Sequence, residues 1–224
     1  MRLQFIICKV MQKEAYYCAA RSPNTVDVVV MKQGLHNEPE KLRREVQKAL
    51  DTTTDTQNRP YDASLLGYGL CSNGILGVKA KRQPIVIPRV HDCIALFLGS
   101  HERYMEEQAK EPGTYYLTKG WVEEKKSPLG IYEEYSGRYG KETAEWVIRE
   151  ELKNYTRIAL VDTGLQLTEV HREHARENAR FLNLRYEEIK GSLELFEKML
   201  QGTWDKGFVI LNPGEEVTQA MFLD

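Results

Sequence analysis

Three thiols and one imidazole carry the chemistry to which this chain's spacing points most directly. Cys71 sits in the run GYGLCSNG (67–74), and His91-Asp92-Cys93 ends the run PIVIPRVHDC (84–93). Cysteine thiolate and histidine imidazole are the usual zinc ligands, and cysteines hold most iron–sulfur clusters. Three protein ligands leave a coordination position open for substrate, as in catalytic zinc sites. Cys8, near the end of LQFIICKV (3–10), adds a further sulfur if its segment lies beside the others. The metal set expected from the sequence is Cys71, His91 and Cys93, with or without Cys8. An iron–sulfur cluster on Cys8, Cys71 and Cys93 is the competing assignment. One condition governs the choice: His91 and Cys93 point the same way in extended backbone and diverge in a helical turn.

Other groups stand close by in sequence. Asp92 suits the N-cap or first turn of a following helix, and could orient a ligand or accept a proton. Arg89 lies two positions before His91, where a cation would face an anionic substrate or favour a thiolate; a salt bridge explains it equally well. His36, in GLHN (34–37), is a candidate substrate-binding group or a plain loop residue. Gly67, Gly69, Asn73 and Gly74 form a loop whose backbone N–H groups could cradle a phosphate. Its spacing is neither GxGxxG nor GxxxxGK[ST], so a turn that needs positive φ is the competing reading. Cys18 reads as a small buried hydrophobe, and Glu14, the carboxylate nearest Cys8, as a base or ligand or, more simply, an exposed helix residue. His171 and His174, at i, i+3, could bind metal, but they share a segment with Arg172, Arg176 and Arg180, which favours a solvated helix face. Trp121 and the tyrosines at 132, 135 and 139 could line a pocket or simply pack.

The elements that must position these residues alternate along the chain. Apolar, β-branched runs at 3–10, 26–31, 63–70, 85–90, 114–118, 157–162, 184–189 and 208–211 read as strands. Helical spacing fills the gaps, most clearly over 39–50, where Leu42, Val46 and Leu50 recur at i, i+4, i+8. The polar stretch 123–140, with Pro128, Gly130 and Gly137, reads as a long loop or lid. The pattern predicts an α/β fold, a mostly parallel sheet with flanking helices, Rossmann-like. It is expected as a single domain over 1–224, two-lobed at most, with a weak boundary near 123–140. In such sheets ligands bind at the C-terminal ends of the strands, where Cys71 and His91–Cys93 fall.

Composition narrows the partners. The 224 residues carry a formal net charge of -2, which gives no electrostatic reason to expect nucleic acid. No apolar run approaches the ~20 residues that span a bilayer, and the short apolar patch at the N-terminus runs at once into charge, unlike a signal peptide. The expectation is a cytoplasmic protein with no membrane partner, its four cysteines kept as thiols.

Taken together, GLHN (34–37), YGLCSNG (68–74), PRVHDCIALFLGS (88–100), PGTYYLTKGW (112–121) and NPGEE (212–216) resemble the DUF1638 family, a prokaryotic family of unknown function. The resemblance covers essentially the whole chain. It implies an association with corrinoid-dependent methyl transfer, and it implies that Cys8, Cys71, His91, Asp92 and Cys93 belong to the site. The function expected is a metal-dependent enzyme of small-molecule metabolism, in one-carbon or corrinoid-linked methyl transfer, with zinc or an iron–sulfur cluster. Its partners would be a small-molecule substrate and a corrinoid protein or methyltransferase. The alternatives are a non-catalytic metal or corrinoid carrier and a metal-free thiol enzyme.

Overall fold

The computed structural model describes residues 1–223. The chain divides into two compact units: Met1–His101 with the chain from Leu193 onward, and Glu102–Ser192. The segment 123–140 lies inside the second unit.

The first unit begins with β1 (Arg2–Cys8), α1 (Gln12–Ala19), β2 (Thr25–Met31), α2 (Pro39–Leu50), β3 (Ala63–Gly67), β4 (Ile85–Pro88) and α3 (Ile94–Leu98). The second holds α4 (His101–Lys110, its first residue still in the first unit), β5 (Thr114–Thr118), α5 (Lys119–Glu123), α6 (Pro128–Tyr139), α7 (Lys141–Glu151), β6 (Arg157–Asp162), α8 (Glu169–Leu182) and β7 (Arg185–Lys190). The chain then returns to the first unit with α9 (Glu194–Gln201) and β8 (Phe208–Leu211).

The α/β class and the mostly parallel pairing follow the sequence pattern, and the strands form two sheets. The first has order β2-β1-β3-β4-β8, parallel except for β8, which runs antiparallel to β4. The second has order β5-β6-β7 and is wholly parallel. Strands covered on both faces read as unbroken apolar runs. Accordingly Leu3, Phe5, Ile6 and Ile7 of β1 are fully buried. Phe196 of α9 meets Phe5 and Phe97 edge-to-face, at centroid distances of 6.5 and 5.9 Å. Burying rings of this size is worth roughly 1.5–3 kcal/mol each. The second core gathers Leu117, Ile158 and Leu160 of its sheet under Ile148, Ala175 and Ala179 of its helices.

The stretch 123–140 departs from expectation. It is not a loop or lid: α6 covers most of it, and Ser127 caps α6 by accepting the Gly130 N–H at 3.3 Å. Pro128 occupies the first helical turn, where its missing N–H costs nothing. Gly130 serves close approach, because a Cβ there would lie 2.2 Å from the Lys125 carbonyl oxygen. Tyr132 and Tyr135 pack on the second core. Among the described residues no helix is long and apolar enough to cross a membrane.

Candidate functional site

Three parallel strands of the first unit, β1, β3 and β4, end side by side. The chain leaving β3 then stays beside the chain leaving β4. Leu70 N–H donates to the Val90 carbonyl at 3.1 Å, and Cys71 N–H to the His91 carbonyl at 3.3 Å. Gly69 permits this approach: a Cβ there would lie 2.9 Å from Val90 O and 3.1 Å from the Asp92 backbone nitrogen. Gly67 is needed in the same way against Ile7, and Gly74 against Leu42, at 2.7 and 2.6 Å from side-chain carbons.

The positive backbone angles fall elsewhere. Cys71, Ser72 and Asn73 have φ of 45°, 57° and 64° in succession. An L-residue in this region costs roughly 1–2 kcal/mol. A run of three is strain held in place by its surroundings, a pattern that concentrates at functional sites. So the glycines of GYGLCSNG serve close packing, while the left-handed turn is made by its non-glycine residues.

This framework brings Cys8, Cys71 and Cys93 together. Cys93 is hydrogen-bonded with Cys71 and lies within electrostatic reach of Cys8. That bond, then burial, then the neighbouring Cys71, Asp92 and Cys8 push the Cys93 thiol well up from its ordinary range. Tyr68 lies among the same three sulfurs. Burial, followed by the charges of Cys8, Cys71 and Cys93, pushes its phenol up as well. All four cysteines are thiols rather than disulfides. Cys18 stands apart on α1, buried, its thiol pushed up to about 12 by burial and by Glu197 and Glu14. Glu14 itself is buried on that helix, not exposed as the sequence suggested.

The other expected residues divide. Cys93 is already helical, with φ −66° and ψ −14°. His91 therefore parts from it: its side chain is exposed, and its ring lies 5.6 Å from that of His101. Asp92 caps α3, its Oδ1 accepting the Ile94 N–H at 2.8 Å. Asp92 also faces His36: burial lowers the His36 pKa, against the opposing pull of the Asp92 carboxylate. Among the described residues Arg89 has no salt bridge, and its donors turn to backbone carbonyls rather than to the thiols. Its guanidinium donates to the backbone carbonyls of Lys206 (3.1 Å) and Met221.

Three buried polar atoms near this edge lack a hydrogen-bond partner among the described residues: Gln33 Oε1 after β2, Tyr68 OH after β3, and His101 Nδ1 beside His91. Each such group costs about 1–3 kcal/mol, and unsatisfied groups in a native fold call for an explanation such as a ligand, ion or water. Sequence reasoning passed over Tyr68 and His101. Tyr68 was visible as the aromatic residue between two glycines of the loop; His101 carried no signal beyond its type. Among the described residues, no group of three or more His, Cys, Asp or Glu is positioned to hold a metal ion.

The second unit has a cleft at its own C-terminal edge, of about 480 Å³, lined by Asp162, Gly164, Glu188, Lys190 and Gly191 among others. Arg172 ties its carboxylates, bonding Glu188 at 2.8 and 3.0 Å and lying 3.8 Å from Asp162. On the same helix, His171 is not solvated. It is buried and closes a capping box with Thr168, while His174 Nε2 pairs with Ser127 Oγ at 2.8 Å.

The chain matches no curated protein and no solved structure. The model of the family described as "Protein of unknown function (DUF1638)" matches residues 30–200, which take in both loops of the thiol edge and leave only Cys8 outside. A match over that much of the chain makes it a member of the DUF1638 family.

Proposed function

We propose that this chain is a metal-dependent enzyme of small-molecule metabolism: no three donors among the described residues are positioned for an ion as their side chains stand, and Cys8, Cys71 and Cys93 would have to close on the ion as it binds. What supports the reading is the convergence of three thiols around a buried tyrosine hydroxyl that has no hydrogen-bond partner among the described residues. A thiol pushed up as Cys93 is makes a poor nucleophile at neutral pH, yet a soft ion displaces its proton and binds the thiolate. Zinc at such a site lowers the pKa of a bound substrate thiol or water; an iron–sulfur cluster is the competing occupant. His36, lowered in pKa and facing Asp92, is the group that takes up the released proton. His91 and His101, their rings 5.6 Å apart, are the groups assigned to substrate contact in this reading. The family resemblance implies an association with corrinoid-dependent methyl transfer, and one-carbon transfer suits this donor set, with a corrinoid protein or methyltransferase as partner. The reading takes the protein to act in the cytoplasm, where thiols stay reduced.

The Cys71–Cys93 hydrogen bond favours a second reading, a metal-free thiol enzyme. Metal content and the visible spectrum of protein prepared without oxygen, for wild type, Cys71→Ala and Cys93→Ala, separate the two. Stoichiometric zinc lost in both variants supports the proposal, and brown protein with iron and sulfide moves it to a cluster. No metal after reconstitution, with rapid alkylation of Cys71 or Cys93, leaves the thiol enzyme. Metal that passes readily to a partner protein without turnover marks a carrier.

A further inference from the structure

Away from the thiol edge, α2 and the segment 77–81 of the first unit enclose a groove of about 470 Å³. Its walls carry five cationic side chains, Arg43, Arg44, Lys48, Lys79 and Lys81, against one carboxylate, Asp51. Lys81 pairs with Asp51 at 2.8 Å, and Lys79 with Glu216 at 3.4 Å. Arg44 and Lys48 have no ion pair among the described residues, and Arg43 makes only a long bond to the Leu76 carbonyl, at 3.4 Å. Like charges gathered this closely repel one another, and an anion between them would remove that repulsion.

The floor of the groove is fixed. Gln47 clasps the Lys79 backbone from both sides: its Oε1 accepts the Lys79 N–H at 2.8 Å, and its Nε2 donates to the Lys79 carbonyl at 3.2 Å. Behind that segment, Gly77 N–H donates to the Val217 carbonyl, Val217 N–H to the Val78 carbonyl, and Ala80 N–H to the Glu215 carbonyl. The cations are thus held on a helix and a braced segment, the preorganisation that a binding site needs.

Extent decides the kind of ligand. The lining residues of α2 and its C-cap run from Arg43 to Asp51, which at ~1.5 Å per residue spans roughly 12 Å. That is too short a track for a nucleic-acid backbone, and the net charge of -2 offers no wider basic field. It suits a compact ligand carrying several charges on neighbouring oxygens. The geometry points to a binding site for a polyphosphate group, with Arg44 and Lys48 as its principal cations. Inorganic triphosphate and a nucleoside triphosphate share this chemistry.

The test is calorimetric titration of the full chain with inorganic triphosphate and, separately, with ATP, at low and at raised salt. The variants are Arg44→Ala/Lys48→Ala, Gln47→Ala, and Lys141→Ala/Lys153→Ala as a charge-matched control in the second unit. Thermal melting confirms that each variant is folded. Saturable binding is expected in wild type and control, weakened by added salt and at least tenfold weaker in the double variant. Gln47→Ala removes no charge, so weaker binding there marks a built site rather than diffuse surface charge. ATP binding much tighter than triphosphate identifies a nucleotide as the source; equal affinity identifies the phosphates alone. Non-saturable binding, or equal losses in the control and the Arg44/Lys48 variant, would overturn the assignment, as would unchanged affinity in Gln47→Ala.

Discussion

The two units put parallel strand ends to opposite uses. In the second, the strand ends tie up their polar groups: Arg172 pairs with Glu188 and Asp162, and Lys119 Nζ donates to the Leu165 and Gln166 carbonyls. One hydroxyl there, Thr118 Oγ1, is buried without a hydrogen-bond partner among the described residues. In the first unit the edge gathers three thiols, a left-handed run of three non-glycine residues, and three buried polar atoms without hydrogen-bond partners among the described residues. The difference teaches that architecture nominates both edges, while unsatisfied chemistry and stored strain select one.

The largest effect expected lies in the second unit and should leave the first untouched. Arg157 is buried against Glu107 (3.4 Å), Glu111 (3.7 Å) and Glu187 (2.8 Å). Arg157→Leu strands a buried carboxylate and should cost about 3–5 kcal/mol in denaturant unfolding, with unchanged alkylation rates at Cys71 and Cys93. The same cluster sets an acid limit. The Thr156 hydrogen bond holds Glu111 below the ordinary carboxylate range; burial opposes this, and Arg185 and Arg157 add to it. For Glu107, burial would raise the pKa, but Lys110 and Arg157 outweigh it and the net shift is down. Lowered folded-state values mean a contribution present above the unfolded value of roughly 4.3 and lost as pH falls through the folded one. Circular dichroism across an acid titration should therefore show loss of stability beginning below about pH 4.3, and Arg157→Leu should flatten it.

Next in size is Gly69→Ala. The added methyl meets backbone rather than a flexible side chain, and overpacking of this kind costs about 1–3 kcal/mol. It should separate the two loops, lowering the melting temperature and exposing Cys93 to alkylation. A variant with the melting point and thiol reactivity of the wild type would break the claim that the loops are locked. The smallest effect is Ser72→Gly, which relieves one left-handed residue and should stabilise by about 1 kcal/mol. If that strain serves the thiol site, the more stable variant should bind metal less tightly.

Much of the framework was legible in the sequence. The runs at 114–118, 157–162 and 208–211 coincide with β5, β6 and β8, because β-branched and aromatic residues bounded by turn residues suit a pleated, buried surface. Asp92 as a helix cap and the nearness of Cys71 to Cys93 were legible from local pattern and the strand-end rule. What failed was local in appearance and tertiary in cause. Proline and glycines around 128–137 suggested a loop, but Pro128 sits where a helix tolerates it and Gly130 answers a neighbour's carbonyl. His171 looked solvated among arginines, yet its ring caps its own helix. Arg89 gave no hint that carbonyls more than a hundred residues away would take its donors.

The central claim is that Cys8, Cys71 and Cys93 act together on one ion. Cobalt(II) titration without oxygen tests it directly, because sulfur-to-cobalt charge transfer reports each thiolate bound. The account predicts a saturating charge-transfer band in wild type, weakened separately by Cys8→Ser, Cys71→Ser and Cys93→Ser and unaffected by Cys18→Ser. No sulfur-to-cobalt band in the wild type, or a band that Cys18→Ser lowers as much as the others, would contradict it.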